Sequence, residues 1–338
     1  MNRTYLGQLP QHDPLHKYLR DAIQPLVNGS AGTADYRVFR LNGSNDVYLY
    51  EDLCTGAKVV GKFFHSPGKR NEQKAVANLA REFDNLVIMR EYGLKGYPHL
   101  VVRPLGSNSS LNALLVTEYC DGVLFSELIV SVIGNGGPDR LYSKLTALAY
   151  FLSAFHSRAS FDAGIDFNQE CAYADHVVNR LLKINALDGG EAAELSRLRD
   201  QWQNQPRMWE DRQVLVHGDA TPENFIFGQG LNVIALDLER TKRADRVSDT
   251  GRIAAELKHF FMRATGDRYA AEPFIGHFLW EYACHFPDPE STFRTISGRT
   301  PFYMGITLLR IARNSWITPD YRRRLINEAK ECLRRFRC

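Results

Sequence analysis

Asp219, Asn224 and Asp237 have the residue types and spacing needed to move a phosphoryl group. Asp219 and Asn224 are separated by four residues in His217-Gly218-Asp219-Ala220-Thr221-Pro222-Glu223-Asn224, and Asp237 follows thirteen after Asn224 in Ala235-Leu236-Asp237-Leu238-Glu239. Phosphoryl transfer asks for little covalent help from a protein. The phosphates must be held, their charge neutralised by metal, and an acceptor hydroxyl aimed at the γ-phosphorus. In a D-x-x-x-x-N…D set the first aspartate takes the hydroxyl proton. The asparagine offers a neutral oxygen and the second aspartate a charged one to Mg²⁺, which accepts few carboxylates and completes its shell with water and phosphate oxygens. One such aspartate alone is more often a turn residue or a strand-end cap; three at these intervals point to chemistry.

The elements that must position them are legible around the motif. Val214-Leu215-Val216 runs into the first acidic loop and Val233-Ile234-Ala235-Leu236 into the second, so two short buried strands each deliver a polar residue to a loop mouth. Upstream, Tyr36 to Leu41 and Val47 to Tyr50 alternate as the arms of a hairpin turned at Asn42-Gly43-Ser44-Asn45, and Lys58 to Phe64 reads as a third strand. Val76, Leu79, Phe83, Leu86, Val87 and Met89 recur at helical spacing between Asn71 and Tyr92, and Gly93 ends that helix. Strands around Leu100 to Val102 and Leu114 to Thr117 follow. Beyond Glu118-Tyr119-Cys120-Asp121-Gly122 the pattern turns helical, with stretches at 141–156, 176–185, 192–202, 253–261 and 321–336, and with Ser248-Asp249 as an N-terminal cap. The reading is an α+β bilobal chain: an extension over residues 1–34 with a short helix between Pro14 and Leu26, a small antiparallel-sheet lobe over 35–118, and a larger helical lobe over 119–338.

Composition narrows the classes. The 338 residues are 44% hydrophobic and 24% charged, an ordinary globular balance. A net charge of +3 is too weak to diagnose nucleic-acid binding. No apolar run approaches the roughly 18 residues needed to span a bilayer, and the N-terminus lacks a signal-peptide core, so the expected location is cytoplasmic. The six cysteines are scattered without a C-x-x-C pair, which argues for reduced thiols over a disulfide or zinc framework.

The H-G-D-x-x-x-x-N loop, followed by Leu236-Asp237-Leu238-Glu239, resembles the aminoglycoside phosphotransferase and choline kinase superfamily, which has a protein-kinase-like fold. The match is strongest over residues 214–260 and weaker over 36–125. Protein kinases carry arginine where this chain has Gly218, and D-F-G where it has Asp237-Leu238-Glu239. The resemblance implies that Lys62 contacts the α- and β-phosphates; a lone lysine on the apolar run Val59 to Phe64 needs a charged partner in any case. Glu82, mid-helix among apolar neighbours, is the first choice for that partner, with Glu72 near the helix start as the other. The resemblance also implies a phosphate-covering turn at Gly43 and Ser44, where a plain hairpin turn explains the same letters, and a purine-binding hinge whose backbone groups lie near Glu118 and Cys120. ATP and GTP stay equally open as donors.

Several neighbours of the motif have weaker assignments. His217 supports the loop by packing and hydrogen bonding, and Asp249 caps its helix and braces the loop. Glu239 either approaches a second metal or the substrate, or holds Arg240 or Lys242. Arg240, Lys242, Arg243 and Arg246 either attract an anionic substrate or form a solvated basic loop. The basic C-terminal helix, with Arg322, Arg323, Arg324, Lys330, Arg334, Arg335 and Arg337, packs by one face and leaves its charges in solvent, or lies on an anionic membrane. The functional expectation is a small-molecule or glycan kinase acting on a neutral or anionic alcohol such as a sugar, an amino alcohol or a lipid-linked saccharide. The alternative is a catalytically silent kinase-like nucleotide-binding protein. A two-metal phosphoesterase lacks the further histidines and carboxylates it would need, and would leave Lys62 without a role.

Overall fold

A computed structural model of the chain describes residues 3–29, 32–41, 46–65, 71–158 and 160–337. The chain forms two compact units, Met1–Leu124 with Ile226–Arg240, and Phe125–Phe225 with Thr241–Cys338. A division at 118/119 alone would assign Asp237 to the helical lobe. The chain instead returns to the first unit after Phe225, so Asp237 belongs with the sheet and Asp219 and Asn224 with the helices.

In the first unit, six antiparallel strands pair in the order Arg3–Gln8, Tyr36–Leu41, Asp46–Asp52, Lys58–Phe63, Leu114–Glu118 and Pro104–Asn108. Lys62 lies opposite Val47 on one side and Leu115 on the other, so its backbone is held by neighbours on both edges. The segment read as an extension contributes an edge strand, and its helical run Pro14–Asn28 packs Leu15, Leu19 and Ile23 against Tyr36, Tyr50 and Val59. The helix Glu72–Glu91 starts where the Asn71 side chain accepts from the Lys74 N–H at 3.0 Å. Its buried face is Ala75, Leu79, Glu82, Leu86 and Met89, which sets one carboxylate in the middle of an apolar stripe. A second sheet joins Lys95–Gly96, His99–Val101, Val233–Ala235, Phe225–Phe227 and Val123–Leu124. Its parallel pairing of Val233–Ala235 with His99–Val101 fixes the strand that leads to Asp237.

The second unit is helical around Pro138–Ser157, Val247–Thr265 and Pro289–Ala312. A three-stranded sheet carries Arg212–Val216 between Ser160–Gly164 and Lys242–Ala244. The basic helix Pro319–Leu333 is packed by one face, but many of its charges have partners. Arg322 donates to the carbonyls of Ala312, Asn314 and Ile317, while Lys330 pairs with Glu191 and Glu194 at 3.1 and 3.0 Å. Among the described residues no disulfide forms, and no helix is long and apolar enough to cross a membrane.

A buried ionic cluster ties this unit together. Arg299 is 0% exposed and meets Asp211 at 2.7 Å and Asp245 at 3.1 Å; Arg246 also holds Asp211 at 2.7 Å, and Tyr303 donates to Asp245 at 3.0 Å. Removing one partner of a buried pair leaves a desolvated charge behind, which typically costs about 3–5 kcal/mol. Arg299→Leu is therefore expected to lower unfolding free energy by about that amount. Adding Asp245→Asn should recover part of the loss, and equilibrium denaturation of the single and double variants checks both.

Candidate active site

The loop His217–Asn224 is held by a carboxylate that its own spacing does not reveal. Asp249, 1% exposed, accepts from the His217 N–H at 2.6 Å and from the Gly218 N–H at 3.0 Å. His156 Nε2 lies 3.1 Å from the same carboxylate, and His156 Nδ1 lies 2.8 Å from the Tyr282 hydroxyl. Burial opposes ionisation of Asp249. The hydrogen bond and charge of His156, with His217 and its N–H, outweigh it and hold the carboxyl below the usual aspartate range. An ionised Asp249 only accepts, so Nε2 of His156 donates to it. The helix begins at Val247, so Ser248 and Asp249 sit inside its first turn rather than at a cap; Asp245 Oδ1 accepts from the Val247 N–H at 2.9 Å instead.

Gly218 has φ 76°, a left-handed conformation that a side chain would strain by roughly 1–2 kcal/mol. The turn it makes presents Asp219. The Asn224 Nδ2 donates to the Asp219 carbonyl at 2.8 Å, which closes the loop through the amide nitrogen. His217 is fully buried against Phe225, with ring centroids 5.3 Å apart, so it acts as packing and as a support for the turn.

Two residues of this neighbourhood escaped the sequence reading. Arg252 Nη1 donates to Asp219 Oδ1 at 2.7 Å and to the Gly218 carbonyl at 2.8 Å. Arg310 Nη1 reaches the same Oδ1 at 3.4 Å and gives Nη2 to Glu256 at 2.7 Å. They stand 33 and 91 residues from Asp219, so no local pattern links them to it. Glu256 is buried, and burial pushes its carboxyl up to about 7 against the pull of Arg310. The basic run after Asp237 is engaged elsewhere in the same unit: Lys242 pairs with Glu170 at 2.9 Å, Arg243 lies over the Phe161 ring, and Arg246 holds Asp211.

In the first unit, Lys62 Nζ lies 2.6 Å from Glu82 Oε2 and 3.0 Å from Asp237 Oδ1, with side-chain exposures of 12%, 3% and 25% for the three. Burial works to lower the lysine, but Glu82 and Asp237 outweigh it and keep the ammonium above its usual range. Burial, with Asp237 and Glu239 nearby, pushes Glu82 upward. Glu72 is exposed in the first helical turn, and Lys58 is drawn toward Glu51 at 3.8 Å. Asp237 itself has φ 57°, an uncommon conformation for a residue with a side chain. Asn85, one turn beyond Glu82, donates to the Leu238 carbonyl at 2.7 Å and pins the turn after it.

Carboxylate oxygens of Glu82, Asp237 and Glu239 converge within 4.8 Å of one another. Asp237 Oδ1 is buried and has no hydrogen-bond partner, its contact with Lys62 being an ion pair only. A buried carboxylate oxygen in that state, among further carboxylates, fits a hard divalent cation. Glu239 meets both sequence expectations: it lies with the carboxylates of Glu82 and Asp237 and is 3.5 Å from Arg240.

The remaining expected positions are less defined. Gly43 and Ser44 lie outside the described residues. The Glu118 N–H donates to the Arg103 carbonyl at 3.0 Å, and its Oε1 accepts from the Arg103 N–H at 2.7 Å, so this residue's own N–H is not available to a base edge. Cys120 is half-buried, and burial pushes its thiol up to about 12.

Residues 35–285, more than half of the chain, match the sequence model of the phosphotransferase enzyme family. No curated protein is significantly similar to the sequence. Among solved structures, the ADP-bound aminoglycoside phosphotransferase APH(2'')-Ib is similar over 96% of this chain and 99% of its own, at 14% identity and a TM-score of 0.58. An ethanolamine kinase from Plasmodium vivax is similar over 93% and 86%, at 14% identity and a TM-score of 0.61. The choline kinase LicA from Streptococcus pneumoniae is similar over 95% and 99%, at 15% identity and a TM-score of 0.54. At such identities the likeness is one of fold: antiparallel-sheet N-terminal part, helical C-terminal part.

Asp249 generates a pH prediction. A carboxyl held below its unfolded value contributes stability that is complete above the unfolded value and is lost as pH falls through the folded one. The wild type is expected to exceed Asp249→Asn in unfolding free energy by about 1–3 kcal/mol near neutral pH. That difference should close on acidification below about pH 4. Denaturant titrations of both proteins between neutral and acid pH measure it; a gap independent of pH would contradict the assignment.

Proposed function

This chain belongs to the phosphotransferase enzyme family, within the superfamily of aminoglycoside phosphotransferases and choline kinases, and we propose that it moves the γ-phosphate of ATP or GTP to a small-molecule or saccharide hydroxyl with Asp219 as the base. Membership makes it an enzyme that phosphorylates an alcohol group. The finer assignments are our reading. The observation that carries them is the Lys62 ammonium held between Glu82 and Asp237 at 2.6 and 3.0 Å. A buried lysine fixed in this way is suited to bind α- and β-phosphates, with Glu82 as its anchor.

Asp237 and Asn224 are the proposed Mg²⁺ ligands, with Glu239 as an additional carboxylate beside Asp237. Bound Mg²⁺ would neutralise phosphate charge and orient the γ-phosphoryl group. Asp219 would hold the acceptor hydroxyl and take its proton as the acceptor oxygen bonds to the γ-phosphorus. The bond between that phosphorus and the β–γ bridging oxygen breaks, and the nucleoside diphosphate leaves. Asp249 acts indirectly, by fixing the backbone from which Asp219 projects. The backbone near Glu118 and Cys120 remains the proposed purine contact. The ADP carried by one structural relative supports a nucleotide donor.

The test separates the roles. Asp219→Asn is expected to reduce transfer by about 10²–10⁴-fold while nucleotide binding persists. Asp237→Ala should weaken Mg²⁺-dependent nucleotide binding itself. Nucleoside diphosphate release and calorimetric nucleotide titration read the two effects, and near-normal transfer by Asp219→Asn would rule out the base assignment.

A further inference from the structure

Any hydroxyl that reaches Asp219 must come up against two guanidinium groups. Arg252 projects from the helix Val247–Thr265 and Arg310 from the helix Pro289–Ala312, and both touch Asp219 Oδ1. Their side chains are 13% and 15% exposed and that of Asp219 is 18% exposed, so all three retain a little access to solvent. The hydrogen-bond inventory is one-sided. Each guanidinium has five N–H donors and no acceptor, and neither can shed its proton in a protein. Arg252 uses Nη1 alone, and Arg310 uses Nη1 and Nη2. The Nε of each is buried and has no partner among the described residues. Other arginines of this chain also have an unpartnered Nε; these two differ in sharing an oxygen of the proposed base.

The acidic groups nearby do not remove the surplus of donors. Asp219 is shared by both arginines, Glu256 is taken by Arg310, and Glu223, solvent-accessible, lies near enough to Arg310 and Asp219 to feel both charges. The Nη2 of Arg252 makes no hydrogen bond among the described residues and, unlike Nε, is not buried, and a charged N–H donor of this kind suits an oxyanion. Helix packing and the Arg310–Glu256 pair fix the two groups before any ligand arrives, which lowers the ordering cost of binding.

We propose that Arg252 and Arg310 form an oxyanion subsite for the acceptor, so that the alcohol phosphorylated here carries a phosphate or carboxylate near its reacting hydroxyl. This rests on the reading of Asp219 as the base. It sets the chain apart from a phosphotransferase for polycationic acceptors, because an ammonium at this subsite would meet unmatched N–H donors and no acceptor.

The experiment uses the full chain with MgATP and matched acceptors: glycerol, glycerol 3-phosphate and glycerate; glucose, glucose 6-phosphate and glucuronate; ethanolamine and an aminoglycoside. ADP release and mass spectrometry of products give kcat and KM, and calorimetry with MgADP present gives acceptor affinity without turnover. At least one anionic member should exceed its neutral parent by about tenfold or more in kcat/KM and in affinity. The phosphate and carboxylate arms tell the two sources of the oxyanion apart. Arg252→Gln and Arg310→Gln should raise KM for that acceptor by about tenfold or more, with a smaller change in kcat. Arg252→Lys, which keeps the charge but loses the fork, should recover only part of the affinity. Equal or better binding of neutral or cationic acceptors overturns the subsite. So does an equal fall in kcat for every acceptor, which would assign the arginines to the transferred phosphate. Absence of any preference for anionic acceptors with MgATP binding retained defeats the subsite alone, whereas absence of MgATP binding, or near-normal transfer by Asp219→Asn, defeats the reading beneath it.

Discussion

A carboxylate with 1% exposure needs a donor for each oxygen, and Asp249 takes both principal donors from the backbone of the loop it supports. Its His156 contact adds a third. Leaving such a charge unsatisfied would cost several kcal/mol, so the N–H groups of His217 and Gly218 are held where they meet it. The loop cannot relax without desolvated charge being left behind. The left-handed φ of Gly218 follows from this constraint, because the backbone must present two successive N–H groups inward and then turn Asp219 outward. Asn224 closes the loop from its far end. The proposed base thus acquires a fixed direction from a residue that touches no substrate.

The first unit solves a different electrostatic problem. Glu82 sits in an apolar helical stripe, where an isolated carboxylate is unfavourable, and Lys62 makes it tolerable. Asp237 and Glu239 then add negative charge beside that pair. One ammonium among three carboxylates is an incomplete balance, and it is the kind a divalent cation would complete. The positive φ of Asp237 and the grip of Asn85 on Leu238 hold this excess charge in place. Strain and electrostatic crowding at one residue are easier to retain when the surrounding sheet and helix are rigid.

How much of this was legible in the chain follows from sequence distance. The loops that carry Asp219, Asn224 and Asp237 announce themselves because an apolar strand precedes each one. The Lys62–Glu82 pair was readable because a strand and the next helix impose simple periodicities, and Glu82 sits mid-helix between Leu79 and Leu86, whereas Glu72 shares their phase but falls in the exposed first turn. The Arg3–Gln8 strand was not, since most of its side chains are exposed and its contribution is backbone pairing with Tyr36–Leu41, which leaves no apolar alternation. Arg299 was hidden for the opposite reason: a charge at 0% exposure inside a helix that also contains Pro301 breaks the pattern by which a buried face is recognised.

The same distinction reverses the electrostatic reading of the active-site neighbourhood. By sequence, the cations nearest Asp237 are Arg240, Lys242, Arg243 and Arg246, which read either as an anion-attracting loop or as a solvated basic one. In space Lys242 and Arg246 neutralise Glu170 and Asp211, and Arg243 covers a phenylalanine ring, so their fields are largely met within the fold. A charge paired at contact distance offers little to a ligand, because displacing its partner forfeits what the ligand would gain. Arg252 and Arg310 are also paired, yet through only part of their donor sets and with the carboxylate proposed as the base. What marks a cation for a ligand is therefore the donors its own fold leaves unmatched and the group it faces, and on both counts the arginines distant in sequence outrank those adjacent to the motif.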